Sequence, residues 1–464
     1  MKYYYTNFGE IYSGICDEAA KFDYPGLTII IQTNKWKEYI KLQKPEKTLE
    51  KIGEYGWVLG NDVIVGALPN GFEPPYSHTQ RDEEMWSGSF ERKYMFVFGA
   101  GASANCVYGD DLMEFKKDNL KPPLGISLFE KRFKKYYEKY QGVRQSLNSL
   151  QGGTPDVETI FEEEWKSISK HNNQVVLSRH INIQYYLQEI LKDVSNHTIQ
   201  EYYANNLYAK LFNKLQKKYS ESINRSYGSN TEKNFSIVSF NQDTILEDFA
   251  CTQFNKKIVT IDDYVCRNKG GFSLFKPHGS WNWGWRFPDS INFSGNTSKW
   301  LFDNNINFYK LYYELLGNNM DMVDWNRWGD DTLLNRHQLG KFTINKSRLQ
   351  VINSEPLDNY FPALLLPYRD KDDFTMPLWH FRDMLGYIHN IETLILIGWK
   401  GNEAAFNSLL EAQATRLNKV IIVDPNPGIV KENLSDILLK RKIEPIIYDN
   451  FEHFVEKGVE EEIK

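Results

Sequence analysis

The sequence is short of the residues that would staple or anchor it. Its four cysteines (Cys16, Cys106, Cys251, Cys266) are scattered and form no C-x-x-C pair, which excludes a disulfide scaffold and a four-thiolate zinc site and leaves reduced thiols as the default. A membrane-spanning helix needs roughly 20 apolar residues, and the longest apolar runs, residues 361–367 and 394–397, fall far short. The N-terminus, Met1-Lys2-Tyr3-Tyr4-Tyr5, lacks the basic region, apolar stretch and small-residue cleavage site of a secretory signal, so the expected location is cytoplasmic. Positive charge is not in excess either: 55 Lys and Arg against 61 Asp and Glu give a net charge of −6. No global basic field therefore marks nucleic acid as the main ligand.

Aromatic residues are abundant, with 28 Phe, 28 Tyr and 12 Trp in 464 residues, and the chain is 41% hydrophobic and 25% charged. That composition describes a globular protein, and at about 150 residues per domain it has room for two or three units. Residues 1–92 read as a separate N-terminal α+β accessory region, with a strand over 27–32 and a hairpin across 55–66 turning at Gly60-Asn61-Asp62. A Pro-, Ser- and charge-rich link at 73–92 follows, and then a short apolar run, 94–98, ends in Gly-Ala-Gly like a buried strand entering a tight loop.

From 127 to about 230 the pattern is that of a helical insertion. It opens with Ser127 and Glu130 spaced as a capping box and continues with Phe129, Phe133, Tyr136, Tyr137 and Tyr140 on one stripe; further helices fit 157–168, 181–194 and 201–218. Strand character returns at 235–240, with a helix opening near Asp243. Residues 281–346 are rich in Trp, Asn and Asp and weakly periodic, the mark of a loop-rich insertion. The last section alternates strand (364–366), helix (378–388), strand (393–397), helix (403–417), strand (420–423), helix (429–439) and strand (445–448), ahead of a tail at 451–464. Such alternation predicts an α/β fold with a doubly wound parallel sheet, whose ligand sites lie beyond the carboxyl ends of the strands.

Three segments at predicted strand ends carry possible chemistry. Gly99-Ala100-Gly101-Ala102-Ser103-Ala104 has the G-x-G-x-x-A spacing, whose glycines let a backbone approach a pyrophosphate. The same spacing also serves simply to pack a strand against a helix, and no acidic residue convincingly ends a second strand about 20 positions on. Ser239-Phe240-Asn241-Gln242-Asp243 offers an amide able to hold a water or a ribose hydroxyl and a carboxylate able to orient that amide, or else an ordinary helix cap. Lys276-Pro277-His278-Gly279-Ser280 offers an acid or base near neutral pH, or else a structural histidine.

In this order and at these strand ends, the segments resemble the sirtuin family, in particular its bacterial sirtuin-like branch, over residues 94 to about 430. Gly99-Ala100-Gly101-Ala102-Ser103 is similar to the family's Gly-Ala-Gly-x-Ser pyrophosphate loop, and Ser239-Phe240-Asn241-Gln242-Asp243 to the segment beside the nicotinamide ribose. Lys276-Pro277-His278-Gly279-Ser280 is similar to the Leu-His-Gly segment with the catalytic histidine. Asp156-Val157-Glu158 resembles a helix start of that branch. Leu396-Ile397-Gly398-Trp399 resembles its late Gly-Tyr-Ser turn, and Val423-Asp424-Pro425-Asn426-Pro427 the turn that touches the adenosine ribose. The resemblance implies a Rossmann-like domain over 93–450, NAD as substrate without a metal, catalytic roles for Asn241, His278 and Asp243, and binding roles for Gly99, Ala100, Gly101, Ser103, Gly398, Trp399, Asp424 and Asn426.

The departures bear on the reaction. The zinc ribbon of sirtuin deacylases is missing, the Gly-Ile-Pro-x-Phe-Arg segment is reduced to Pro122-Pro123-Leu124-Gly125, and Lys400 stands where the late turn would carry Ser. Without the zinc subdomain that helps form an acyl-lysine channel, water is the expected acceptor, which makes the chain an NAD glycohydrolase yielding ADP-ribose and nicotinamide. The branch further implies an NAD-depleting anti-phage effector, a homo-oligomer, and a partner such as a hexameric translocase-type ATPase. The Trp residues, among them Trp281, Trp283, Trp285 and Trp300, suit either a protein interface or a core. Three other readings stand: a protein deacylase or ADP-ribosyltransferase, a non-catalytic NAD or ADP-ribose sensor, and a nucleic-acid binder using Lys131, Arg132, Lys134 and Lys135 among the aromatics of the first stripe.

Overall fold

Tyr94-Met95-Phe96-Val97-Phe98 is apolar on both faces, and such a strand requires cover on both sides. The computed structural model describes residues 93–140, 143–144, 174–225, 235–265, 272–286, 360–365 and 375–463. It also describes the isolated strands Lys2–Asn7, Glu10–Ile15, Leu27–Thr28, Leu49–Ile52, Gly56–Leu59, Asp62–Ile64, Met320–Met322, Phe342–Asn345 and Arg348–Val351. We number the strands of the main body β1 (Tyr94–Phe98), β2 (Phe235–Ser239), β3 (Ser273–Phe275), β4 (Gly279–Arg286), β5 (Tyr360–Leu364), β6 (Thr393–Ile397), β7 (Lys419–Val423) and β8 (Ile446–Tyr448). The helices used below are α1 (Ala100–Ala104), α2 (Gln174–Glu201), α3 (Leu207–Arg225), α4 (Ile245–Gln253), α5 (Leu378–Asn390), α6 (Ala404–Gln413), α7 (Pro427–Asn433) and α8 (Ser435–Arg441).

Six strands form one parallel sheet in the order β8-β7-β6-β1-β2-β3. From β1 the chain first winds outward through β2 and β3, then returns to the other side of β1 and winds outward again through β6, β7 and β8. This is a Rossmann-like doubly wound α/β sheet, and its switch point lies between β1 and β6. Register decides what stands at the rim: Tyr448, Val423, Ile397, Phe98 and Ser239 occupy one row across the sheet. The turns that leave β1, β2, β6 and β7 therefore depart at one height. The core on both faces is apolar, with Phe96, Val97, Phe98, Ile237, Val238, Ile395 and Ile422 at most 1% exposed.

The strand at 393–397 and the one ending at residue 448 fall where the alternation predicts them, and the hairpin at 55–66 pairs Leu59 with Asp62 across its turn. Several expectations are corrected. The strand predicted at 364–366 is β5, which ends at Leu364 and runs antiparallel to β4 outside the parallel sheet. The loop-rich insertion predicted from 281 begins inside β4, where Trp281, Trp283 and Trp285 recur every second residue, the period of a strand. Ser127 caps no long helix; its hydroxyl accepts from Leu124 N–H in a 3-10 turn.

The helices expected at 181–194 and 201–218 are the longer α2 and α3, broken at 202–206. The helix expected at 429–439 is split at Leu434 into α7 and α8. The segment read as a tail from 451 is helical, with Phe451, Phe454, Val455 and Val459 packed in the core. The predicted helix 157–168, Asp156-Val157-Glu158 and Trp300 lie outside the described residues, as does the strand expected over 29–32. Among the described residues, no helix is long and apolar enough to cross a membrane.

Candidate active site

The glycine loop after β1 is wedged against the turn after β6. Gly99 N–H donates to Ile397 O (3.1 Å) and Gly101 N–H to Gly398 O (3.1 Å), while Gly398, with φ +59°, donates its own N–H to Val423 O (3.0 Å). A Cβ on Gly99 would lie 2.5 Å from Gly398 O, and one on Gly398 would lie 2.2 Å from Ala102 N. The glycines are thus required by a close backbone crossing at the switch point. Two of the loop's N–H groups are consumed there, which leaves the exposed Ala100 as the loop residue facing solvent.

Beside the loop lies a buried polar chain. Asn241 leaves the end of β2, and its Nδ2 donates to Ser103 Oγ at 3.0 Å; Ser103 Oγ is 3.1 Å from Tyr208 Oη, on α3, and the hydroxyl also favours the charged form of the nearby Asp243 carboxylate. A hydroxyl has one proton and two lone pairs, so Ser103 can accept from Asn241 while it also bonds Tyr208. Among the described residues the Asn241 amide is held by Ser103. Asp243 Oδ1 also accepts from Ile245 N–H at 3.2 Å, the local turn that an Asp favours ahead of a helix. Burial pushes the Asp243 carboxyl up, against the opposing pull of Lys276 and the Ser103 hydrogen bond. One atom of this chain is left over: Asn241 Oδ1 is buried and has no hydrogen-bond partner among the described residues.

The imidazole of His278 joins the same rim from the turn between β3 and β4. It is buried, and its ring centroid lies 4.9 Å from that of Phe240, the residue before Asn241. Gly279 holds φ +74° there, and a Cβ on it would lie 2.0 Å from Ala363 O. Gln242 Nε2 donates to His278 O at 3.0 Å, and Trp281 N–H donates to Gln242 O at 3.0 Å. Phe240 also stacks on Trp399 (5.4 Å between centroids, 7° between planes), whose indole N–H donates to Glu403. The Trp399 side chain is thus part of the core.

Asn241, His278, Asp243, Ser103, Gly99, Gly101, Gly398 and the Trp399 backbone are brought together at the switch point. Asp424 and Asn426 stand one strand further out; Asp424 Oδ1 accepts from Asn426 N–H at 2.7 Å, and Asn426 occupies the N-cap position of α7 without a side-chain capping bond. Tyr208 was not legible as a site residue, since it lies 105 positions from Ser103 and reaches it only through the folded insertion. Behind the rim, Lys276 pairs with Glu247 on α4.

Burial raises the Glu247 carboxyl from 4.5 to about 7, with Lys276 opposing. A carboxyl raised on folding contributes stability that is full below its unfolded value and is lost as pH rises through the folded one. Replacing Glu247 by Gln removes that dependence. The melting temperature of Glu247→Gln should therefore gain on the parent's as pH rises from about 5 to about 8. A difference that stays constant over this range contradicts the assignment.

Among the described residues, no three His, Cys, Asp or Glu side chains gather in a way that could hold a metal ion. No protein-family model matches the chain, and no curated protein matches it. Solved structures resemble it at low identity. One, described as bearing on the mechanism and regulation of Sir2 enzymes, is 11% identical and covers 78% of this chain and 95% of its own, with a TM-score of 0.29. Two mutants of a Sir2 homologue in complex with ADP-ribose are 11% and 12% identical; they cover 77% and 79% of this chain and 96% and 99% of their own, with TM-scores of 0.26 and 0.24.

Proposed function

We propose that the rim binds NAD and cleaves its nicotinamide–ribose bond, with water as acceptor, to give ADP-ribose and nicotinamide. The observation that carries this reading is Asn241: its amide nitrogen is held by Ser103, and its buried carbonyl oxygen waits for a donor such as a ribose hydroxyl or a water. The position agrees with it, since a doubly wound sheet receives dinucleotides at the switch point.

The bond to be broken asks little acid catalysis of the protein, because the leaving group is cationic in NAD and departs as neutral nicotinamide. The transition state resembles an oxocarbenium ion, so the demands are a fixed ribose and a positioned nucleophile. In this scheme Asn241 Oδ1 accepts from the water that attacks the anomeric carbon or from a ribose hydroxyl beside it, and His278 takes the proton that the attacking water releases. Ser103, with Tyr208 beside it, holds the Asn241 amide in register. The main chain around Ala100 and Gly398 borders the pyrophosphate, and Asp424 and Asn426 lie toward the adenosine end. Regulation by oligomerisation or by a partner ATPase would belong to the segments outside this rim.

The test is chromatography of NAD incubated with the purified protein. ADP-ribose and nicotinamide in equal amounts are expected. Cyclic ADP-ribose would replace hydrolysis by cyclisation, and intact NAD at enzyme-stoichiometric concentrations after long incubation would defeat the proposal.

A further inference from the structure

Lys276 has no part in the scheme above, yet it is 0% exposed at the end of β3. A buried ammonium persists where each of its three donors meets an acceptor. Here Nζ donates to the Asp243 carbonyl at 2.6 Å, to Ser280 Oγ at 2.9 Å and to the Glu247 carboxylate. These acceptors come from three places: the turn after β2 that carries Asn241, the start of β4 just past His278, and α4. One side chain thus joins the two turns whose residues meet at the rim. Asp243, whose carbonyl it grips, stands two residues from Asn241 on the same turn.

We propose that Lys276 is a positioning residue whose ammonium fixes the turn bearing Asn241 relative to the turn bearing His278. Its effect on catalysis rests on the reading of the rim as an NAD-cleaving site; its effect on the two turns does not. A purely structural role makes a different forecast, because replacing a buried ion pair with apolar residues of similar volume is often neutral or stabilising. Under that alternative an apolar pair would serve as well. Under the proposal it restores packing while leaving the two turns unlinked.

The experiment compares the parent with Lys276→Met/Glu247→Leu and with Glu247→Gln, in which Lys276 keeps its bonds to Asp243 and Ser280. Amide hydrogen exchange should quicken by about tenfold or more over 240–244 and 277–281 in the double variant, with little change in the central strands. Its kcat on NAD should fall about tenfold or more while KM moves less than about threefold, and Glu247→Gln should keep kcat within about threefold of the parent. Unchanged exchange in both segments overturns the proposal, as does full kcat in the double variant. A parent that does not cleave NAD defeats the functional reading alone, and exchange then still decides the role of Lys276. Should the double variant not fold, Lys276→Met, with Glu247 able to take up a proton, is read by the same measurements.

Discussion

Asn241→Ala and His278→Ala should each lose on the order of 10²-fold or more in NAD turnover while the protein stays folded. For Asn241 the separation of the two effects follows from its contacts. Its side chain contributes one hydrogen bond to the fold, from Nδ2 to Ser103 Oγ at 3.0 Å, and leaves Oδ1 unpartnered in a buried site. Losing such a bond costs about 1 kcal/mol, and removing an unsatisfied carbonyl offsets part of that. Asn241→Asp is the sharper variant. A carboxylate of the same shape retains an acceptor but cannot donate to Ser103, so it should also lose turnover. Steady-state rates and thermal melts of the three proteins check this, and near-parental rates in both alanine variants would remove the two residues from the reaction.

Gly398→Ala should be among the most damaging single-methyl changes in the molecule. Its φ of +59° lies in the left-handed region, and the added Cβ would stand 2.2 Å from Ala102 N and 2.5 Å from Gly101 C. Backbone strain of about 1–3 kcal/mol adds to about 1–3 kcal/mol of overpacking, and neither contact is with a flexible side-chain end that could give way. The glycine loop must then move off the β6 turn, breaking the bond from Gly101 N–H to Gly398 O. The expected result is a fall in melting temperature of several degrees together with loss of ADP-ribose binding. Gly428→Ala, where a Cβ meets nothing within 4 Å, is the matched control and should be close to neutral.

Much of this arrangement was readable in the chain before folding, for physical reasons that also mark the limits. Thr393-Leu394-Ile395-Leu396-Ile397 is continuously apolar or β-branched, ends at a glycine and reads as a buried strand, which β6 is. Glycines at 99, 101 and 398 mark the switch point because only a residue without Cβ allows the two backbones to cross so closely. What could not be read depends on distance in sequence. Tyr208 approaches Ser103 because α3 packs on the sheet, and no local pattern encodes that. The loss of two loop N–H groups to Ile397 and Gly398 is likewise a tertiary fact, as is the bond from Asn241 to Ser103. β4 is masked in the sequence because its alternating tryptophans are embedded in a polar, Asn- and Asp-rich region, and both of its partners, Met320–Met322 and β5, lie far downstream with no local pairing signal.

The central claim, that Asn241 at the switch point receives the ribose of a dinucleotide, is tested most directly at its own side chain. ADP-ribose is titrated into protein labelled with nitrogen-15, and the Asn241 side-chain amide resonance, assigned by its disappearance in Asn241→Ala, is followed. A saturable shift of that resonance, with that of the exposed Asn418 at the opposite end of the sheet unmoved, is the result expected. An Asn241 amide that stays in place while ADP-ribose is taken to millimolar excess would contradict the account.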